Sequence, residues 1–424
     1  MPTNAFDRLQ ERGFIYQSTH EEIRQHFKEP RKFYVGFDPT ADSLHVGSLV
    51  PIMAMAHCQQ LGHTPIALVG GATARVGDPS GKTQMRQMLT EETIEENEQG
   101  VAAQLSRYLV LDGVQGILVN NKHWLMSLSY IEFLRDIGVH FSVNRMLTAE
   151  SVKSRLEHGL SFIEFNYMIL QAFDFYQLLV DYQCTVQMGG QDQWGNIVAG
   201  MELCRRKQEH RQTFGVTFPL ITNSSGSKFG KSEQGNIWLD ANRTSVLEFY
   251  QFWRNCDDQD VSRFLKLFTF LPLEEIQQLT AVGSNINRAK EILAYEATAL
   301  THGKEAAAKA FATAISQFPP ADPEGLVETS SDVRWVKPGE EVAAPTYRLA
   351  LSELNQITWP ELFERCGLVQ SRSEARRLIE GKGAKYDDQI IDNPRELVQE
   401  AHFSQGELTL RKGKKGFMRV VLDS

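Results

Sequence analysis

A chain of 424 residues can fill two or three domains with cores of their own, and 42% hydrophobic with 23% charged residues excludes a disordered or fibrous class. The formal net charge of −9 excludes a uniformly basic nucleic-acid coat but leaves room for a local cationic surface. Five scattered cysteines without a CxxC pair, and eleven histidines without ligand spacing, point away from a disulfide framework and a zinc site, so no metal ligand is assigned. Met1-Pro-Thr-Asn-Ala-Phe-Asp7 has no basic-then-apolar signal pattern, and no apolar run reaches membrane-spanning length. The expectation is a cytoplasmic protein with no membrane partner.

Lys32-Phe-Tyr-Val-Gly-Phe37 reads as a buried strand, and Asp38 to Leu44 as the loop that leaves it. Positions 45 to 61 predict a helix closed by Gly62, with Pro51 making its first turns irregular. Thr64-Pro-Ile-Ala-Leu-Val-Gly-Gly71 is the next strand, running into a glycine-rich loop. That strand–helix–strand order predicts a βαβ unit, and so a parallel sheet covered by helices on both faces. Ligands of such sheets bind at the carboxyl ends of the strands, where Tyr34, Asp38 and Asp78 fall. Gln115–Asn120 and Cys184–Gly189 read as further strands, and about Asp240 to Gln317 as helical, Ala-rich over Arg288 to Ile315. Phe318 to about Pro345 is dense in proline and acidic residues and reads as a flexible linker; residues 346 to 424 read as a small α+β module.

Two short stretches about 180 positions apart carry the chemistry. In Pro39-Thr-Ala-Asp-Ser-Leu-His-Val-Gly-Ser48, a helix N-terminus offers free N–H donors, Gly47 admits a flat nucleotide, and His45 can donate to a phosphate. Alternatively His45 only caps the helix. In Thr222-Asn-Ser-Ser-Gly-Ser-Lys-Phe-Gly-Lys-Ser232, Lys228 and Lys231 stand at i and i+3 on a polar loop, suited to negative charge that develops in a transition state. The bland alternative is a solvated basic turn. Gly77-Asp-Pro-Ser-Gly-Lys82, with Arg86, adds two cations but is one residue short of a P-loop. Tyr167, Gln171 and Asp174, at i, i+4 and i+7 among Ile169, Leu170, Phe173 and Phe175, share one helix face. Buried, such a stripe needs a ligand or a network; otherwise it faces solvent.

The paired stretches resemble the ATP-binding signatures of class I aminoacyl-tRNA synthetases. Tyr34-Val-Gly-Phe-Asp-Pro-Thr40, Gly77-Asp-Pro-Ser80, Phe165–Asp174 and Gln187-Met-Gly-Gly-Gln-Asp-Gln-Trp-Gly-Asn196 narrow the resemblance to the bacterial tyrosyl-tRNA synthetase family. The usual second histidine of the first signature is here Ser48, which hydrogen-bonds but carries no charge.

The resemblance implies an α/β protein: a Rossmann-like parallel-sheet catalytic domain (1–220), a lysine loop with a helical anticodon-side domain (221–320), an acidic linker (321–345) and an RNA-binding module (346–424). It implies L-tyrosine, ATP with Mg2+ as co-substrate, tRNA(Tyr) and a homodimer, with no tightly bound cofactor. Tyr34 and Asp174 are expected at the tyrosine phenol, Asp78, Tyr167 and Gln171 at its ammonium, and Gln187 in the same wall. Gly36, Asp38 and Asp192 are expected at the adenylate, Gln193 near the carboxyl or α-phosphate, and Thr40, His45, Gly47 and Ser48 at ATP. Lys82, Arg86, Lys228 and Lys231 are expected to close on pyrophosphate.

In the last module, Ser371 with Glu374 reads as a capping box. Arg372, Arg376, Arg377, Lys382, Lys412, Lys414 and Lys415 are its expected tRNA contacts. Residues 351–424 hold twelve cations and twelve anions, so clustering rather than net charge would bind phosphates. The rivals are the tryptophanyl homologue and a non-catalytic RNA-binding paralogue.

Overall fold

The computed structural model describes residues 4–80, 89–156, 159–208, 211–224, 226, 229–232, 235–317, 319–335, 346–369, 371–387, 389–404, 406–413 and 416–423. They form two compact units, Met1–Lys337 and Pro338–Ser424.

In the first unit, β1 (Gln17–Ser18), β2 (Lys32–Phe37), β3 (Thr64–Val69), β4 (Ile117–Asn120), β5 (Val186–Gly190) and β6 (Phe214–Phe218) lie in the order β1-β6-β5-β2-β3-β4. β2 to β6 pair in parallel, and β1 runs antiparallel to β6. β3 and β6 are buried almost throughout, as strands covered on both faces must be. The parallel α/β sheet read from the sequence is therefore present. Its strand order reverses between β2 and β5, and that reversal opens a crevice beyond their carboxyl ends.

Two helical segments border this crevice. After β2 the chain makes a 3₁₀ turn, Val46–Ser48, before the helix Leu49–Gln60. Pro51 sits in the first turn, where its missing N–H forfeits no helical bond. Gly62, at φ 84°, stops the helix in the left-handed conformation that favours glycine. The helix Phe162–Tyr182 starts at a complete capping box, Ser161 with Glu164. Glu164 also pairs at 3.0 Å with the buried Arg155, which pins the entry of this helix.

Beyond β6 the unit is helical: Val246–Arg254, Asp258–Phe268, Leu273–Leu279, Ile286–His302 and Lys304–Gln317. The expected division at 220/221 is no break in the core. Trp253 is fully buried beside Phe249, Phe264 and Phe268, in one apolar cluster with Val46, Leu49 and Met53. Arg12, from the helix Ala5–Arg12, donates to the carbonyls of Lys266 and Thr269, at a helix end that leaves such groups without partners, and to that of Leu271 just beyond.

The flexible linker expected over 321–345 is ordered over 321–335. Asp322 accepts from the N–H groups of Leu326 and Val327, Glu275 accepts from the Thr329 and Ser330 hydroxyls, and Ser331 donates to Glu296. Val333 is buried in the core. Density of charge misled the reading because the neighbouring helices supply acceptors for this segment's donors. Residues 336–345 lie outside the described residues.

In the second unit β9 (Thr346–Ala350), β10 (Ala384–Tyr386), β11 (Gln389–Ile390), β12 (Glu407–Lys412) and β13 (Gly416–Asp423) form a sheet in the order β11-β10-β12-β13-β9. Its core holds Trp359 from the helix Trp359–Arg365, stacked on Tyr386 at 5.0 Å. Ser371 caps the helix Arg372–Glu380 by accepting from the Glu374 N–H.

Trp253 tests the continuous core of the first unit. Trp253→Ala is expected to lower stability by about 3–5 kcal/mol in urea denaturation, the range for emptying a large aromatic site. A loss below about 1 kcal/mol would contradict its placement.

Candidate active site

A cavity of about 360 Å³ occupies the crevice between β2 and β5. Its walls include Tyr34 and Gly36 of β2, Gln187 and Gly189 of β5, and Tyr167, Gln171 and Asp174 of the helix Phe162–Tyr182. Tyr167 and Asp174 are buried, so the polar stripe faces the cavity and not solvent.

Asp174 is 2% exposed and accepts two hydrogen bonds, from Trp124 Nε1 at 2.7 Å and Asn121 Nδ2 at 3.0 Å. Burial pushes its carboxyl up to about 7 despite these donors, which favour the charged form. The Tyr34 hydroxyl lines the same cavity, buried and without a hydrogen-bond partner among the described residues. Burial and the nearby Asp174 charge raise its pKa well above the usual phenol value. A buried phenol without a partner beside a buried carboxylate is costly unless a ligand hydroxyl completes the set.

A second carboxylate, Asp38, follows β2. It accepts from the Tyr167 hydroxyl and the Thr73 hydroxyl, each at 2.8 Å. Asn121 joins the two acids, because its Nδ2 also donates to Thr73 Oγ1 at 2.9 Å. Its Oδ1 accepts from the Ala72 N–H. Gly70 is required here, since a Cβ would stand 2.0 Å from Asp38 Oδ1 and 2.4 Å from Thr73 Oγ1. Asp78 accepts from the Ser80 N–H at 2.8 Å and from Gln193 Nε2 at 2.7 Å. Burial raises its pKa above the ordinary carboxyl value, and an incoming cation would reverse that. Asn196 donates to Gln171 Oε1 and Gln193 Oε1, tying these groups together.

The two signature stretches touch. The Val46 N–H donates to the Ile237 carbonyl at 3.0 Å, and the Leu239 N–H to the Leu44 carbonyl at 2.9 Å, so His45 forms an antiparallel bridge with Trp238. Ile237 in turn donates to the Gly230 carbonyl, and β7 (Lys231–Ser232) pairs with β8 (Gly235–Asn236). Gly230 lies at φ 85°, and a Cβ there would meet Val46 Cγ2 at 2.6 Å. Phe229 fixes this loop by stacking on Phe268 at 5.2 Å.

Residues 26–318 match the family model described as tRNA synthetases class I (W and Y). A tyrosine--tRNA ligase of Desulfosudis oleivorans is 51% identical over 99% of both chains, and one of Acetivibrio thermocellus is 49% identical over 99% of this chain and 100% of its own. The chain belongs to the class I tyrosyl-tRNA synthetase family. Among solved structures, a C-terminally truncated mitochondrial tyrosyl-tRNA synthetase of Aspergillus nidulans superposes with a TM-score of 0.66 at 32% identity, covering 74% of this chain and 94% of that one.

Of the positions that the likeness to tyrosyl-tRNA synthetases singled out, Tyr34, Gly36, Asp38, Thr40, Ser48, Asp78, Tyr167, Gln171, Asp174, Gln187, Asp192 and Gln193 all line the one cavity. His45 is engaged locally: its Nδ1 accepts from the Gly47 N–H at 3.0 Å, and its ring meets Trp238 edge-on. His45 thus caps the turn that opens this helix. A Cβ at Gly47 would fall 2.7 Å from the same ring. Lys82, Arg86, Lys228, Lys414 and Lys415 lie outside the described residues, and of Lys231 only the backbone is described. In the second unit Arg376, Arg377 and Lys382 are exposed. Arg372 pairs with Glu361 and Glu364, and Lys412 with Glu374, so carboxylates temper the expected basic edge.

Sequence reasoning missed Thr73, Ser80, Asn121, Trp124 and Asn196. Asn121 directly follows β4, and the rule of carboxyl strand ends could have found it.

Asp174 makes stability depend on pH. Its folded pKa of about 7 lies above the unperturbed 3.8, so between these values the folded protein keeps a proton that the unfolded chain has lost. The contribution of Asp174 is complete below about pH 4 and is lost as pH rises to 7. Relative to Asp174→Asn, the wild type should lose up to roughly 4 kcal/mol across that window in urea denaturation, at about 1.4 kcal/mol per unit. Parallel pH profiles for the two proteins would contradict the buried, raised carboxyl.

Proposed function

We propose that this protein is a tyrosine–tRNA ligase whose substrate is selected by Asp174 with Tyr34. The observation that carries the reading is that buried pair in the crevice between β2 and β5. The tyrosine carboxylate attacks the α-phosphorus of ATP, forming tyrosyl-adenylate and releasing pyrophosphate. A hydroxyl of the terminal tRNA ribose then takes the tyrosyl group from the mixed anhydride and AMP leaves. No protein nucleophile enters either step; position and charge supply the rate.

In this reading the substrate phenol exchanges hydrogen bonds with Asp174 and Tyr34. Its ammonium sits among Asp78, Tyr167 and Gln171, where a positive charge relieves the cost of burying Asp78. Gln187 belongs to the same wall. Gly36, Asp38 and Asp192 serve the adenylate, and Gln193 the carboxyl or α-phosphate. Thr40, Ser48 and the His45–Gly47 turn serve the ATP phosphates. Lys82, Arg86, Lys228 and Lys231 neutralise the leaving pyrophosphate, and Mg2+ arrives with ATP as part of the substrate. In the second unit, Arg372, Arg376, Arg377, Lys382, Lys412, Lys414 and Lys415 hold tRNA phosphates.

A homodimer and a cytoplasmic location belong to the same proposal. Large apolar side chains stand exposed at Tyr130, Ile131, Val139, Val143 and Phe162, an excess that supports a protein partner over this stretch. The five cysteines are free, which supports a reducing compartment.

Tyrosine wins over tryptophan and phenylalanine because only a phenol satisfies both buried groups at once. Asp174→Asn should lower the ratio of kcat/KM for tyrosine to that for phenylalanine in ATP–pyrophosphate exchange by about tenfold or more, the scale of a hydrogen bond to a charged group. An unchanged ratio would remove Asp174 from substrate recognition.

A further inference from the structure

The contact between the two signatures is braced by a residue that neither contains. Arg243 places its guanidinium carbon 4.2 Å from the ring centroid of Trp238, and its Nε is 3.1 Å from Asp42 Oδ1. Asp42 lies in the stretch that leads to His45, whereas Trp238 lies on the arm that returns from the lysine hairpin. We infer that Arg243 is a positioning residue for the adenylation step, holding the arm of the lysine hairpin against the segment around His45. The inference rests on the proposed ligase reaction and adds a residue to it.

The geometry joins the parts in sequence. Arg243 belongs to a tight turn in which Asp240 accepts from the N–H groups of Arg243, Thr244 and Asn242. The same turn fixes the arm directly, since the Trp238 N–H donates to Thr244 Oγ1 at 3.0 Å. Thr244 is buried, so the turn has a firm seat. From Trp238 the order passes through Ile237, which donates to Gly230 and accepts from Val46, to the pairing of Asn236 with Lys231. The backbone of Lys231 is therefore set by the same short ladder that sets His45. The Trp238 ring meets the His45 ring edge-on at 6.3 Å and also carries the Arg243 guanidinium.

Such a brace suits a loop that must meet a transition state. Backbone bonds and buried side chains fix the arm at residues 237 and 239, whereas the hairpin beyond them carries Lys231, which the proposed reaction assigns to the leaving group. An ion pair and a cation–π contact on one guanidinium restrain the arm sideways without burying it. Both are partly exposed, so the restraint is modest and its loss should disturb position more than folding.

The experiment is steady-state ATP–pyrophosphate exchange on wild type, Arg243→Ala, Arg243→Lys, Asp42→Asn and the double variant Asp42→Asn/Arg243→Ala, with melting curves for each. Arg243→Ala should lower kcat about five- to tenfold with the KM for tyrosine unchanged and melting nearly unaltered, the size expected when one exposed pair and one cation–π contact are lost. Arg243→Lys should recover part of the rate. Asp42→Asn should lower kcat alone and add little to Arg243→Ala, because the two act through one contact. An undiminished kcat in Arg243→Ala, a parallel loss of tyrosine affinity, or additive effects of the two substitutions would each overturn the inference. Wild-type protein without tyrosine-dependent exchange would instead strike the proposed reaction itself.

Discussion

The site depends on a carboxylate kept where water cannot reach it. Asp174 is buried to 2% exposure, and among the described residues two donors, Asn121 and Trp124, stand between it and the full cost of desolvation. Those donors hold the carboxylate in place but do not prevent its pKa from rising to about 7. That residual cost is what a substrate hydroxyl can relieve. Specificity in this account comes from a group left partly unsatisfied by the protein, beside a Tyr34 hydroxyl in the same condition.

The same network links recognition to the chemistry above it. One amide, Asn121, donates to Asp174 and to Thr73, and Thr73 donates to Asp38 at the end of β2. Asp38 also takes the Tyr167 hydroxyl. In the proposed reaction, the end of the cavity that would read the side chain and the end that would meet the adenylate are therefore built on shared hydrogen bonds. Gly70 allows this by letting Asp38 and Thr73 press against its backbone. Above them, the histidine signature forms an antiparallel bridge, Leu44–Val46 with Ile237–Leu239, to the segment that follows the lysine signature. The fold contributes the reversal of strand order that puts β2 and β5 side by side.

Much of this was legible in the sequence because it is local. The i, i+4, i+7 spacing of Tyr167, Gln171 and Asp174 survives into a single helix face, and the β2–helix–β3 order fixes the sheet edge. Gly62 marked the end of the first long helix, and Pro51 its irregular first turns, for reasons visible in their own chemistry. What was not legible is long-range. Asn121 meets Thr73 and Asp174 across 48 and 53 positions, and nothing near it reveals either partner. The role of His45 was open between phosphate contact and capping, and only the Gly47 geometry shows that its Nδ1 is committed to the turn. The acidic segment after Phe318 looked unable to fold because its charge was counted without the Glu275, Glu291 and Glu296 acceptors that receive its donors.

The most direct measurement is ATP–pyrophosphate exchange by the purified protein with each of the twenty amino acids in turn. The account predicts rapid exchange with tyrosine, and exchange with phenylalanine and tryptophan far below it, since neither presents a phenol to Asp174 and Tyr34. Exchange with phenylalanine or tryptophan at the rate of tyrosine, or none with tyrosine, would contradict it.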